Sequence, residues 1–176
     1  MAKSFKLEPD HVSLNAPNIK FNRFMTYTRV IPWDWSVHRM LTDAVPSDVR
    51  HLVINCHGWP WKESFQAPFL SIGTVIHPGN VSAFELLARI ETLSVIWITS
   101  CGLCSNPDGV NFCKAIARHS RCFVVNHQFS APDVYLPTGQ VDDLFDSSPH
   151  YIDPDGASMS RKDFLSLRED LGFAPV

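Results

Sequence analysis

Several features that define other classes of protein are missing from this sequence of 176 residues. No apolar run approaches the roughly 20 residues that a membrane-spanning helix needs, and residues 1–10 hold no apolar stretch that would form the core of a signal peptide. The formal net charge of −3 leaves no basic footprint for DNA or RNA. A glycine-rich phosphate loop and a Gly-x-Ser-x-Gly elbow are also missing. We therefore expect no membrane, nucleic acid or nucleotide cofactor as a partner, and no ordinary serine hydrolase.

Cysteine is present in an odd number, five residues, in a chain too long to need disulfide staples. Reduced thiols and a cytoplasmic location are therefore expected, although a bacterial protein exported without a cleaved signal peptide would have the same composition. The content of 45% apolar and 19% charged residues is typical of a globular protein. The length predicts a single domain, 1–176.

Two apolar runs each end in a reactive side chain. The run Arg50–Cys56 is followed by His57-Gly58, and the run Leu93–Ser100 is followed by Cys101-Gly102. Both predict buried parallel strands, as does Arg121–Asn126. Helical patterns over 81–90 and from Asp108 or Asn111 to about His119 separate the three strands. This order predicts an α/β fold of three layers, α/β/α, with a central, mostly parallel sheet and its core at 50–126.

The pattern outside this core is less regular. It predicts a strand over 21–31, a short helix over 36–44, a loop over 58–62 and a strand or hairpin arm over 69–76. Toward the carboxyl terminus it predicts a long loop at 127–158 and a helix at 160–171. The loop is long for a compact domain, which suggests a functional or mobile segment.

The two reactive side chains are expected to lie side by side, because the carboxyl ends of parallel strands meet at one edge of a sheet. A thiol attacks as its thiolate, and a neighbouring imidazole takes or balances its proton. The pair His57 and Cys101 therefore predicts nucleophilic catalysis. Cys56 is expected to point away from His57, since neighbouring strand residues face opposite sides.

The motifs His57-Gly58 and Ser100-Cys101-Gly102, each after a predicted strand, resemble the caspase-like clan of cysteine peptidases, which includes caspases, metacaspases, clostripain and gingipain. The separation of 101 − 57 = 44 residues is close to the roughly 50 between His and Cys in caspases. The resemblance covers about residues 50–126. Around the nucleophile, Ser100-Cys101-Gly102-Leu103-Cys104 replaces the Gln-Ala-Cys-x-Gly signature, so the caspase specificity for aspartate does not carry over.

The resemblance implies a caspase-like fold and hydrolysis of peptide bonds through an acyl-enzyme. Cys101 would be the nucleophile, and His57 would protonate the leaving amine and activate the hydrolytic water. The backbone N–H groups of Gly58 and Cys101 would donate to the oxyanion, where one donor is worth about 3 kcal/mol. The implied partner is a protein or peptide substrate, with no cofactor and no metal, and a homodimer is left open.

Four further residues are predicted to line a substrate cleft. Trp59 and Trp61 follow His57, where an aromatic pair forms a groove wall or else covers the sheet edge. Asn126 and His127 end the third core strand on the side of the dyad, although a hydrogen-bonded structural histidine is the commoner case.

Three alternatives stay open. One is a non-catalytic caspase-like module that binds a protein partner through the same cleft. Another is a thiol-disulfide oxidoreductase using Cys101-Gly-Leu-Cys104, although residues 106–109 separate that motif from its helix. A zinc site is the weakest, because Cys101, Cys104, Cys113 and Cys122 lack a second close pair of ligands.

Overall fold

The computed structural model describes residues 5–19, 25–62, 66–100, 102–126 and 149–175. Its strands, in chain order, are β1 (Phe5–Leu7), β2 (His11–Asn15), β3 (Tyr27–Val30), β4 (His51–Asn55), β5 (His57–Lys62), β6 (Ala67–Ser71), β7 (Val95–Ile98), β8 (Phe123–Asn126), β9 (His150–Ile152), β10 (Ser158–Met159) and β11 (Phe173–Pro175). Its helices are α1 (Val37–Asp43), α2 (Pro107–Ser120) and α3 (Arg161–Ser166), with 3₁₀ helices at Val81–Arg89 and Leu103–Ser105.

A seven-stranded sheet forms the centre of the described structure, in the order β10-β9-β8-β7-β4-β2-β3. Strands β2, β3, β4, β7 and β8 run parallel, whereas β9 pairs antiparallel with both of its neighbours, β8 and β10. Two small antiparallel pairs, β1 with β11 and β5 with β6, lie outside it. The predicted α/β class with a central, mostly parallel sheet is therefore confirmed.

Alternate residues of β4, β7 and β8 pack into two separate cores. In β4, Leu52 and Ile54 belong to the core that contains buried residues of α1, α2 and the first 3₁₀ helix, whereas Val53 belongs to the core that contains Phe164 of α3. This alternation follows from the two-residue period of a strand. Helices on both faces of the sheet are compatible with three layers.

The core elements were predicted close to their observed bounds. Strands β4, β7 and β8 fall inside the predicted ranges 50–56, 93–100 and 121–126, and α1 falls inside 36–44. The predicted helix at 81–90 is a 3₁₀ helix over Val81–Arg89. Helix α2 begins at Pro107, earlier than predicted, because Asn106 caps it by accepting a 2.9 Å hydrogen bond from the Gly109 N–H. Residues 106–109 are thus not a loop that precedes the helix.

The loop predicted at 58–62 is wrong, because these residues belong to β5, which pairs with β6. Aromatic residues favour the extended chain here in spite of Pro60, and the register is irregular between Trp59 and Lys62, which accommodates the proline. Strand β6 covers Ala67–Ser71, so the strand or hairpin arm predicted over 69–76 begins within two residues of its predicted start. Its predicted end at 76 is wrong, because the chain turns at Gly73, whose backbone is left-handed, φ +54°.

The first strands of the sheet were predicted only in part. The strand expected over 21–31 is described as β3, from Tyr27 to Val30, while residues 20–24 lie outside the described residues. Strand β2 was missed. It is fully buried between β3 and β4, yet its sequence His-Val-Ser-Leu-Asn alternates polar and apolar residues.

The predicted loop at 127–158 is wrong at its carboxyl end, where β9 and β10 form a hairpin; residues 127–148 lie outside the described residues. Asp153 closes its turn by accepting a 2.7 Å bond from the Ala157 N–H. The helix predicted at 160–171 ends at Ser166. The chain turns there, because Leu171 and Phe173 return to the aromatic core around Phe164. Among the described residues, no helix has the length and apolarity to cross a membrane.

Candidate active site at the carboxyl edge of the sheet

The two segments that carry the predicted dyad leave the sheet together. Strands β4 and β7 are parallel neighbours, and Ile54 pairs with Ile98. Asn55 and Thr99 therefore lie at the same level at the carboxyl edge. Beyond them the chain continues on one side to His57-Gly58 and on the other to Ser100-Cys101.

His57 is the first residue of β5 and is exposed at this edge. Its ring lies 6.0 Å from that of Trp59. The preceding Cys56 is buried in the core that contains α1 and α2. The prediction that Cys56 and His57 point in opposite directions is therefore confirmed.

Gly58 connects the histidine segment directly to the cysteine segment. A Cβ built on Gly58 would lie 2.6 Å from the Cβ and 2.7 Å from the Oγ of Ser100, and 3.1 Å from Cδ2 of Leu70. Such distances leave no room for a side chain. Gly58 was predicted to allow backbone to approach a substrate, and the structure shows that it also allows Ser100 to pack against the backbone of the histidine segment.

Asn126 holds Ser100 from the other side. Its Nδ2 donates to the Ile98 carbonyl at 2.8 Å and to the Ser100 Oγ at 3.3 Å. Asn126 and Ser100 are both fully buried. Asn126 thus lies at the predicted edge, but it supports Ser100 and does not line an open surface.

Cys101 and His127 lie outside the described residues, as does the side chain of Trp61. The neighbours of Cys101 on both sides are described. Gly102 has a left-handed backbone, φ +61°, which favours glycine. It precedes the 3₁₀ helix Leu103–Ser105, which packs on α2 so closely that a Cβ on Gly109 would lie 1.6 Å from the Leu103 carbonyl oxygen. The segment after Cys101 is therefore tightly held.

A chain of buried polar side chains that was not predicted from the sequence begins at the same edge. Thr99 Oγ1 donates to Asn55 Oδ1 at 2.8 Å, and Asn55 Nδ2 donates to Asn15 Oδ1 at 2.8 Å. Asn15 Nδ2 in turn donates to Ser13 Oγ at 3.1 Å. The only available sequence signal was a polar residue at the end of each apolar run.

Trp59 is the large aromatic side chain exposed beside His57. It remains 43% exposed and stacks on Phe69 with ring centroids 4.8 Å apart and planes 14° from parallel. This stacking across the β5–β6 hairpin holds the indole in place. An exposed, rigid indole is suited to contact an apolar or extended ligand.

The other described thiols are buried. The Sγ atoms of Cys104 and Cys113 lie 3.6 Å apart, and their hydrogen bond together with burial raises the pKa of Cys113. Burial raises the pKa of Cys122 to about 12. Buried thiols of this kind are poor nucleophiles. Within the described ranges, no three His, Cys, Asp or Glu side chains group as metal ligands do.

No protein-family model, no curated protein and no solved structure matches this chain. The case for a function therefore depends on the residues and on their geometry.

Proposed function

We propose that this chain is a caspase-like cysteine peptidase that hydrolyses peptide bonds through His57 and Cys101. The observation that carries the proposal is the close packing of Gly58 on Ser100. Gly58 directly follows His57, and Ser100 directly precedes Cys101. The parallel pairing of β4 with β7 supports the same arrangement, because both segments leave the sheet at one edge.

The reaction would proceed by acyl transfer. The Cys101 thiolate attacks the carbonyl carbon of the scissile peptide bond, and the His57 imidazolium gives its proton to the leaving amine. The acyl group stays on sulfur as a thioester. His57, now neutral, then removes a proton from water, whose oxygen attacks the thioester; the C–S bond breaks, and the carboxyl product leaves with the Cys101 thiolate and the His57 imidazolium restored.

The oxyanion formed in each step needs hydrogen-bond donors that are already in place. The backbone N–H of Gly58 is a candidate donor, together with that of Cys101. A single preorganised donor of this kind is worth about 3 kcal/mol of transition-state stabilisation. The packing of Ser100 against Gly58 supports this role, because it restricts the backbone that would carry the donor.

The buried position of Cys104 argues against thiol-disulfide exchange as the function. An oxidoreductase needs its second cysteine to reach the first during turnover. Cys104 is 2% exposed and its sulfur contacts Cys113. We therefore propose a peptide or protein as the substrate, and not a disulfide.

The test is cleavage of a proteome-derived peptide library by the full chain, with new amino termini identified by mass spectrometry. We expect cleavage by the wild type, and loss of cleavage in Cys101→Ser and in His57→Ala. Cys122→Ser is the matched control and is expected to cleave, because Cys122 is buried away from the edge. No cleavage by the folded wild type, or cleavage that survives Cys101→Ser, would contradict the proposal and favour a non-catalytic binding module.

A further inference from the structure

The hydrogen bond between Thr99 and Asn55 joins β7 to β4 at the point where both strands end. Oγ1 of Thr99 donates to Oδ1 of Asn55 at 2.8 Å, and the Thr99 backbone N–H donates to the Ile54 carbonyl at 3.1 Å. Both side chains are buried. Beyond this level one segment continues into β5 and the other toward the 3₁₀ helix at 103–105.

The two residues have matching positions relative to the proposed dyad. Asn55 lies two residues before His57, and Thr99 lies two residues before Cys101. A hydrogen bond between them therefore sets the register of one segment against the other. Asn15 fixes the Asn55 amide from the next strand, since Asn55 Nδ2 donates to Asn15 Oδ1 at 2.8 Å.

Stability alone does not require polar residues at these positions. A buried hydrogen bond contributes only about 1 kcal/mol net, and apolar groups of the same shape in place of both partners are nearly neutral. The residues before them in both strands, Ile54 and Ile98, are apolar and fully packed. What the hydrogen bond adds is a single allowed orientation for each side chain.

We propose that Thr99 and Asn55 are positioning residues that hold the His57 segment and the Cys101 segment at the spacing needed for proton transfer. This inference rests on the proposed function. Neither residue contacts the substrate; they act through the two backbone segments that follow them. A misplacement of about 1 Å between reacting groups costs about 100-fold in rate, so one lost cross-strand bond has a measurable effect.

The test uses Thr99→Val, which keeps the branched shape and removes the hydroxyl, and Thr99→Ser, which keeps the hydroxyl. Thr92→Val is the matched control, because Thr92 Oγ1 makes a similar 3.0 Å bond to the Val49 carbonyl, before β7 begins. The readout is the rate at which iodoacetamide alkylates Cys101, measured by peptide mass spectrometry from pH 5.5 to 9.5.

We expect Thr99→Val to slow alkylation of Cys101 about 10-fold or more at pH 6, where a thiolate depends on its imidazole partner. At pH 9.5, where an ordinary thiol is ionised, the rate should change less than about 2-fold, since the sulfur itself is unaltered. Thr99→Ser should restore most of the rate at pH 6, and Thr92→Val should behave as the wild type. If Thr99→Val does not fold, Thr99→Ala serves as the second variant with the same expectation.

Two results would overturn the inference while the proposed function stands. One is that the alkylation rate of Cys101 in Thr99→Val follows the wild-type pH profile, while His57→Ala slows this alkylation. The other is faster alkylation at every pH together with labelling of Cys104, which would mean that Thr99 only maintains packing. Failure of the proposed function is distinguishable, because the alkylation rate of Cys101 would then be the same in the wild type and in His57→Ala.

Discussion

Gly58 and Ser100 are in such close contact that a Cβ at position 58 would lie 2.6 Å from the Cβ of Ser100. Real Cβ contacts are not found at that distance. The pair therefore joins the segment that carries His57 to the segment that carries Cys101, with the side chain of Ser100 filling the space that a larger residue at 58 would need.

A methyl group at Gly58 should disrupt this contact. We expect Gly58→Ala to lower the free energy of unfolding by about 1–3 kcal/mol through overpacking and to abolish most of the peptidase activity. Urea denaturation and peptide cleavage measure the two effects. The double variant Gly58→Ala/Ser100→Gly removes both nearest atoms and should recover much of the stability. If the double variant is no more stable than Gly58→Ala, the contact with Ser100 is not the cause.

Trp59 should contribute to substrate binding and not to the chemical step. We expect Trp59→Ala to raise the KM for a cleaved peptide roughly 3- to 10-fold, the worth of one aromatic contact, with the alkylation rate of Cys101 unchanged. Trp33→Ala is the control, because Trp33 is similarly exposed, at 44%, in the turn between β3 and α1. An equal rise in KM in both variants would remove the assignment of Trp59 to the substrate cleft.

Cys104 should be dispensable for the reactivity of Cys101. Its sulfur is buried against Cys113, so Cys104→Ala is expected to cost about 1 kcal/mol of stability for the lost contact and to leave the alkylation of Cys101 intact. Thermal denaturation and site-resolved alkylation measure the two effects. Loss of a disulfide-reductase activity in Cys104→Ala would support the oxidoreductase alternative instead.

The buried His51 should make the fold sensitive to acid. Its Nε2–H donates to the Gly172 carbonyl at 3.0 Å, and its Nδ1 accepts from the Trp97 indole at 3.3 Å. Its pKa is lowered to about 3, chiefly by burial; the Gly172 hydrogen bond opposes this effect, and the nearby charges of His11 and Arg50 add to it. Both ring nitrogens are thus satisfied in the neutral form.

At His51, the folded protein therefore binds up to one proton fewer than the unfolded chain between about pH 6.5 and pH 3. Stability falls in that window as the pH falls, by up to about 1.4 kcal/mol per pH unit from this group. His51→Gln retains a donor for Gly172 but does not titrate, so it should flatten the slope seen in urea denaturation between pH 6.5 and 4.5. His38→Gln, at an exposed position in α1, is the control for replacing a histidine. If His51→Gln keeps the wild-type slope of unfolding free energy against pH, His51 is not the group that causes the acid sensitivity.

The sequence allowed the central strands to be predicted because their apolar runs are continuous. Val95–Ile98 and the middle of β4 lie in a parallel sheet covered on both faces, which requires apolar residues at every position. Strand β2 was missed for the opposite reason. Its Asn15 is buried because it bonds to the Asn55 amide of β4 and to the Arg29 carbonyl of β3, and Ser13 in turn bonds to Asn15 within the strand. Partners in other strands, distant in sequence, leave no local pattern.

The part of the candidate site that depends on strand ends was predictable, and the part that depends on contacts between strands was not. The ends of β4 and β7 indicated His57, Gly58 and the edge at which they lie, because a strand end is a local feature. Thr99 and Asn55 were not assigned a role, since their contact depends on the register between two strands 44 residues apart along the chain. Asn126 was assigned to a substrate cleft, but it is fully buried and its Nδ2 donates to the Ile98 carbonyl and the Ser100 hydroxyl.

The most direct test of the account is site-resolved alkylation by iodoacetamide near neutral pH, with wild type and His57→Ala compared on the folded full chain. The account predicts fast labelling confined to Cys101 in the wild type and a slower rate in His57→Ala, with Cys104, Cys113 and Cys122 unlabelled in both because they are buried. Uniformly slow labelling of the wild type that does not change when His57 is removed would contradict the His57–Cys101 dyad.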